Sequence, residues 1–71
     1  MKEKEILKVA KKLFSKYGFK KVSMDEIAKN AGVTKKTVYA NFASKEELLN
    51  NLIKLELKDM KERFEKVLAI F

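Results

Sequence analysis

Apolar residues near the start of the chain recur at Ile6, Ala10, Leu13, Phe14 and Tyr17. This is the i, i+4, i+7, i+8, i+11 spacing of one buried helical stripe, and Leu7 and Val9 widen it on either side. The pattern predicts a helix from about Lys4 to Tyr17. Gly18 follows the last apolar position, where a C′ residue takes positive φ. The segment Phe19-Lys20-Lys21-Val22 reads as a short link, with Phe19 or Val22 tucked under the core.

Ser23 followed three positions later by Glu26 is a capping box and opens a second helix. Ile27, Ala28 and Ala31 give it an apolar side, and Gly32 ends it. A helix of barely two turns is not stable alone, so packing must hold it. Val33 is the turn residue. Thr34 can cap a third helix covering roughly Lys35 to Phe42. Ser44 with Glu47 forms another capping box and opens a long fourth helix. No strand alternation, repeat or low-complexity linker interrupts this series.

Two short helices joined at Gly32-Val33 have the form of a helix-turn-helix. Helices crossing at ~90–120° need a tight turn, usually with Gly. They also need a small residue where the backbones approach, which Ala28 supplies. Ile27 and Val38 then seat the pair on the first helix. An ordinary αα-hairpin with no nucleic-acid role satisfies the Ala28-to-Gly32 spacing equally.

The third helix separates the two readings. At about 100° per residue, with Lys35 set to 0°, Val38 and Phe42 point near 320° and Ala40 points opposite them. Lys36 and Thr37 flank Ala40, while Tyr39 and Asn41 lie on the shoulders. The outward face is short, polar and cationic, and it carries no acidic residue. Such a face can enter a major groove ~12 Å wide.

Composition narrows the chemistry. A chain of 71 residues allows one small domain, and a domain of that size buries only ~60% of its unfolded surface. There are no cysteines and no histidines, which removes disulfides, thiolate zinc sites, Cys nucleophiles and imidazole bases. The clustered carboxylates Asp25-Glu26 and Glu46-Glu47 each sit in the first turn of a helix. There they cap and complement the dipole, with no partner for catalysis, so no enzyme and no cofactor are expected. No apolar run approaches the ~20 residues of a membrane span, and the N-terminus has no signal-peptide pattern. The expected location is the cytoplasm.

The formal net charge is +7. Residues 1–22 contribute +6, residues 23–44 contribute +1, and residues 45–71 are balanced. A charge excess bears on partners such as polyanions or anionic membranes. A Lys-rich amphipathic interaction module, binding a partner protein or an anionic membrane surface, is the alternative reading. It accounts for the basic first helix but not for the acid-free face of the third.

The fourth helix poses a separate question. From Lys45 to Phe71 it would span roughly 40 Å, against roughly 21 Å for the first helix. Leu49, Ile53, Leu57, Met60, Phe64, Val67 and Phe71 stay within about 80° of one another. The three-helix head is too short to cover that stripe, so Phe64, Val67, Leu68, Ile70 and Phe71 are expected to need a missing domain or a second copy.

The run from Ile27 through Ala28, Ala31-Gly32-Val33, Tyr39 and Phe42, followed by Ser44-Lys45-Glu46-Glu47-Leu48, closely resembles the DNA-binding domain of tetracycline-repressor (TetR) family regulators. Ile6-Leu7, Ala10, Leu13-Phe14 and Gly18 match as well, so the resemblance covers about residues 5–55. It implies an all-α, homeodomain-like three-helix head over residues 1–47, with a helix-turn-helix at about 24–43. Residues 44–71 would form a connecting helix toward an effector and dimerisation domain absent from this chain. The implied partners are double-stranded DNA, a second subunit joined through that missing domain, and a small-molecule effector of unknown identity. The implied function is a sequence-specific transcriptional regulator, a ligand-released repressor in its full-length form.

Carried over by position, Lys35, Lys36, Thr37 and Ala40 face base edges, and Ser23, Thr34, Tyr39, Asn41 and Lys45 touch phosphate. Lys36 stands where the family often has Gly or Ala, and Asn41 where it often has His or Tyr. Other roles remain open for several of these residues. Ser23 and Thr34 are good caps with or without DNA. Tyr39 could be a core-edge aromatic, and Lys45 a surface lysine offset by Glu46 and Glu47. Lys20 and Lys21, just before the second helix, read as a solvated loop or as backbone-phosphate contacts.

Overall fold

The computed structural model describes the backbone of residues 2–70, and the side chains of that span except at 64 and 67–70. Four helices follow in order: α1 (Glu3–Tyr17), α2 (Met24–Ala31), α3 (Lys35–Asn41) and α4 (Lys45–Ile70). There is no strand among the described residues. No helix is long and apolar enough to cross a membrane among the described residues.

Local chemistry sets most of the helix ends. The Ser23 hydroxyl accepts from the Glu26 N–H at 3.1 Å, and the Glu26 carboxylate accepts from the Ser23 N–H at 3.4 Å. Both halves of the predicted capping box are therefore made. Gly32 takes φ 70°, ψ 30°. The Val33 N–H reaches the Ala28 carbonyl at 3.0 Å, and the Gly32 N–H reaches that of Lys29 at 3.3 Å. These are the two bonds of a Schellman ending, and the left-handed residue between them favours glycine. Gly18 also has positive φ, at 89°. The Thr34 hydroxyl accepts from the Thr37 N–H at 3.2 Å and starts α3. The box at Ser44 is only half of the expected one. Ser44 accepts from the Glu47 N–H at 3.1 Å, but the Glu47 carboxylate reaches one residue further back, to the Ala43 N–H at 2.7 Å.

One core joins all four helices. Ile6, Leu7, Ala10 and Leu13 of α1 meet Met24, Ile27 and Ala28 of α2, Val38 of α3, Phe42 just beyond it, Leu48 and Leu52 of α4, and Val22 of the link. Ile6, Ile27, Val38 and Leu48 are fully buried. Burying one such side chain contributes about 1.5–3 kcal/mol. A loss at any of these positions is thus large for a domain this small.

Two stripes differ from the expected ones. Tyr17 continues the spacing of α1 but is 50% exposed, with the Lys16 ammonium 5.3 Å from its ring centroid. The core takes Val22 and Met24 from the link and the start of α2 instead. Among the described residues of α4, Leu48 and Leu52 are buried, whereas Ile53, Leu57 and Met60 are exposed and Leu49 is half-buried. The edge of α4 that enters the core is thus one that the longer apolar stripe did not mark. Leu49, Ile53 and Leu57 line an open apolar groove of about 310 Å³ beside Phe14, with a Lys11–Glu56 ion pair between the helices. The side chains of Phe64, Val67, Leu68, Ile70 and Phe71, which extend the stripe, lie outside the described residues.

Candidate nucleic-acid interface

The helical wheel of α3 holds in three dimensions. Val38 is fully buried and Phe42 nearly so. Lys35, Lys36, Tyr39 and Ala40 are exposed, and Thr37 and Asn41 are half-buried. The three exposed residues of the base-facing set, Lys35, Lys36 and Ala40, therefore lie outside the core. The Thr37 hydroxyl lies 3.0 Å from that of Thr34. The Asn41 side-chain amide donates to the Thr37 carbonyl at 2.8 Å, which ties that shoulder to the helix's own backbone.

Each cation has a different setting. Lys36 makes no ion pair among the described residues. Lys35 lies 3.3 Å from Asp25 of α2, and both side chains are more than half exposed. Lys45 is half-buried. Its ammonium donates to the Phe19 carbonyl at 2.7 Å and to the Val22 carbonyl at 3.0 Å, and it lies 4.3 Å from the Phe19 ring centroid. A cation in the first turn of a helix opposes the macrodipole. Here it has partners within the chain.

The fold gathers several of these groups. An open cleft of about 440 Å³ is lined by Lys20, Lys21, Ser23, Tyr39, Ser44 and Lys45, among others. It brings together Ser23, Tyr39 and Lys45, which are far apart in sequence, and adds the two lysines of the link. Glu46 is the one acid among its lining residues. Lys20 and Lys21 had a signal in the sequence, since they immediately precede a helix N-terminus, where backbone N–H groups favour an anion. Thr34 and Asn41 do not line this cleft. They stand at the two ends of α3.

Residues 6–52 match the family model described as bacterial regulatory proteins, tetR family. The chain belongs to the tetR family. Among curated relatives, the uncharacterized HTH-type transcriptional regulator YhgD of Bacillus subtilis is 42% identical over 62 residues, covering 87% of this chain and 32% of that protein. The HTH-type transcriptional regulator AcrR of Shigella flexneri is 40% identical over 57 residues, covering 80% of this chain and 26% of its own. EthR of Mycolicibacterium smegmatis, also named an HTH-type transcriptional regulator, is 40% identical over 52 residues, covering 73% and 24%. The chain thus spans about a quarter to a third of the length of these relatives. The matched tetR segment takes in α1 from Ile6 onward, α2, α3 and the first two turns of α4, the span over which the core is continuous.

Proposed function

We propose that this chain is the DNA-binding head of a tetR-family transcriptional regulator and docks α3 in the major groove of double-stranded DNA. The observation that carries this reading is the cleft of Lys20, Lys21, Ser23, Tyr39 and Lys45 beside a helix whose outward residues are Lys35, Lys36 and Ala40. Base edges are read by the outward side of α3, that is the exposed Lys35, Lys36 and Ala40 with the half-buried Thr37. Ser23, Thr34, Tyr39, Asn41 and Lys45 lie toward the flanking phosphates, with Lys20 and Lys21 added to that set. Phosphate contacts fix register and orientation, and base contacts specify sequence.

Residues 1–47 form the head in this reading, and residues 44–71 lead toward a further domain that dimerises and binds a small effector. The greater length of the relatives supports that arrangement. Effector binding releases DNA, so the full-length protein is a repressor acting in the cytoplasm. The names of the relatives favour a regulator over an enzyme.

The test is binding of the chain to short duplexes across a salt series, beside anionic vesicles. Each neutralised phosphate contributes about −0.9 to the slope of log K against log salt. The three cations of the phosphate set, Lys20, Lys21 and Lys45, give a slope near −3 on that basis. One half-site without a second subunit falls in the non-specific range of ~10⁻⁴–10⁻⁶ M. Binding to vesicles but not to duplex DNA would replace this reading with that of a membrane-surface module.

A further inference from the structure

The α1–α2 link, residues 18–23, contains a turn at 19–21. Among the described residues, no backbone N–H reaches the carbonyl of Phe19 or Val22. Backbone carbonyls turned away from water need a donor, and both of these receive theirs from one side chain. The Lys45 ammonium, 23 to 26 positions further along the chain, donates to each. The Phe19 ring lies under the same cation and packs on Phe14 of α1, with ring centroids 5.2 Å apart. One group at the start of α4 thereby fastens the link at both ends of its turn and, through Phe19, to α1.

We propose that Lys45 is a positioning residue for DNA binding, acting through the link. It sets the placement of Lys20, Lys21 and the Ser23 N-terminus of α2 against the phosphates. This rests on the DNA-binding reading above. An ammonium has three N–H donors, and the link takes two of them. The third is free for a phosphate in the cleft, so a direct contact and the clamp are compatible. What the clamp adds is dependence of the whole cleft on Lys45. Its removal lets Lys20, Lys21 and Ser23 drift together, rather than deleting one contact.

The experiment compares the 71-residue chain with Lys45→Met, Phe19→Leu and the double variant. Each is checked for folding by urea midpoint, and affinities are compared at matched folded fractions. Amide hydrogen exchange without DNA is read first, since it reports local opening. Hydrogen bonds to a charged group are strong enough that Lys45→Met should speed exchange about tenfold at the Ser23 amide, the one N–H of residues 20–23 with a hydrogen-bond acceptor among the described residues, on Glu26, with residues 6–13 unchanged. In duplex binding the two single variants should be non-additive, as expected for residues that act through one arrangement. The salt slope should fall by more than the ~0.9 of a single phosphate.

Unchanged exchange at the Ser23 amide would overturn the clamp. Additive affinities with a slope change of about 0.9 would reduce Lys45 to a phosphate contact and overturn the positioning role. Absence of salt-dependent binding by the unaltered chain would instead remove the DNA-binding reading, and the positioning role with it. The exchange result identifies which of the two has failed.

Discussion

The Lys35 ammonium of α3 lies 3.3 Å from the Asp25 carboxylate of α2, so a group proposed above to read base edges is already paired within the chain. Both side chains are more than half exposed, and such pairs contribute at most about 1 kcal/mol. DNA can therefore displace the pair at little cost. Asp25 also stands in the first turn of α2, where a carboxylate complements the dipole.

Asp25→Asn should consequently raise duplex affinity while lowering stability. Removing a surface negative charge and freeing Lys35 is expected to tighten binding by about two- to fivefold at low salt. Loss of the dipole interaction costs about 0.3–1 kcal/mol. Fluorescence anisotropy on a labelled duplex and urea denaturation read the two effects separately. Weaker binding by a folded Asp25→Asn chain would show that the carboxylate helps to present Lys35.

Lys36→Ala and Tyr39→Phe should fail in different ways. Lys36 lies next to Ala40 at the centre of the outward face, so its loss alters base preference by about 1–3 kcal/mol per good contact. Tyr39 is exposed on a shoulder and lines the basic cleft. Loss of its hydroxyl should weaken all duplexes alike. Competition among randomised duplexes separates the outcomes. Uniform weakening by Lys36→Ala would assign that lysine to the backbone.

Gly32→Ala should destabilise the head through backbone conformation alone. An added Cβ would meet no atom within 4 Å, yet φ is +70°. Holding a residue with a side chain there costs about 1–2 kcal/mol. Gly32→Asn should cost less, since Asn visits this region more readily. Equal urea midpoints for the alanine variant and the parent chain would mean that the turn relaxes to another ending.

Protection should fall along α4. Leu48 and Leu52 are buried, whereas Ile53, Leu57 and Met60 are exposed. Amides at residues 57–63 are expected to exchange much faster than those at 6–13 in a verified monomer, because low burial marks low local stability. Equal protection of the two segments would mean that the head itself covers the apolar stripe.

Features that depend on neighbours three or four residues apart were legible in the sequence. The caps at Ser23 and Thr34, the glycine ending at Gly32 and the buried side of α3 at Val38 all lie where spacing put them. Each is decided by bonds within one turn or by the period of a single helix. The Glu47 carboxylate departs by only one residue, since a flexible side chain can choose between adjacent N–H groups.

Tertiary structure decided what depends on how the helices lie against one another. The apolar side of α4 is wider than its contact with α1, so the packing angle buried Leu48 and Leu52 and left Ile53 and Leu57 on an open groove. Tyr17 keeps the period of α1 without reaching the core, because a period gives a direction and not a neighbour. Long side chains are the extreme case. A lysine reaches several ångströms from its backbone, and its local sequence does not say toward what. Only the folded chain, which brings the link under the start of α4, gave Lys45 the carbonyls of Phe19 and Val22 and made Lys35 the neighbour of Asp25.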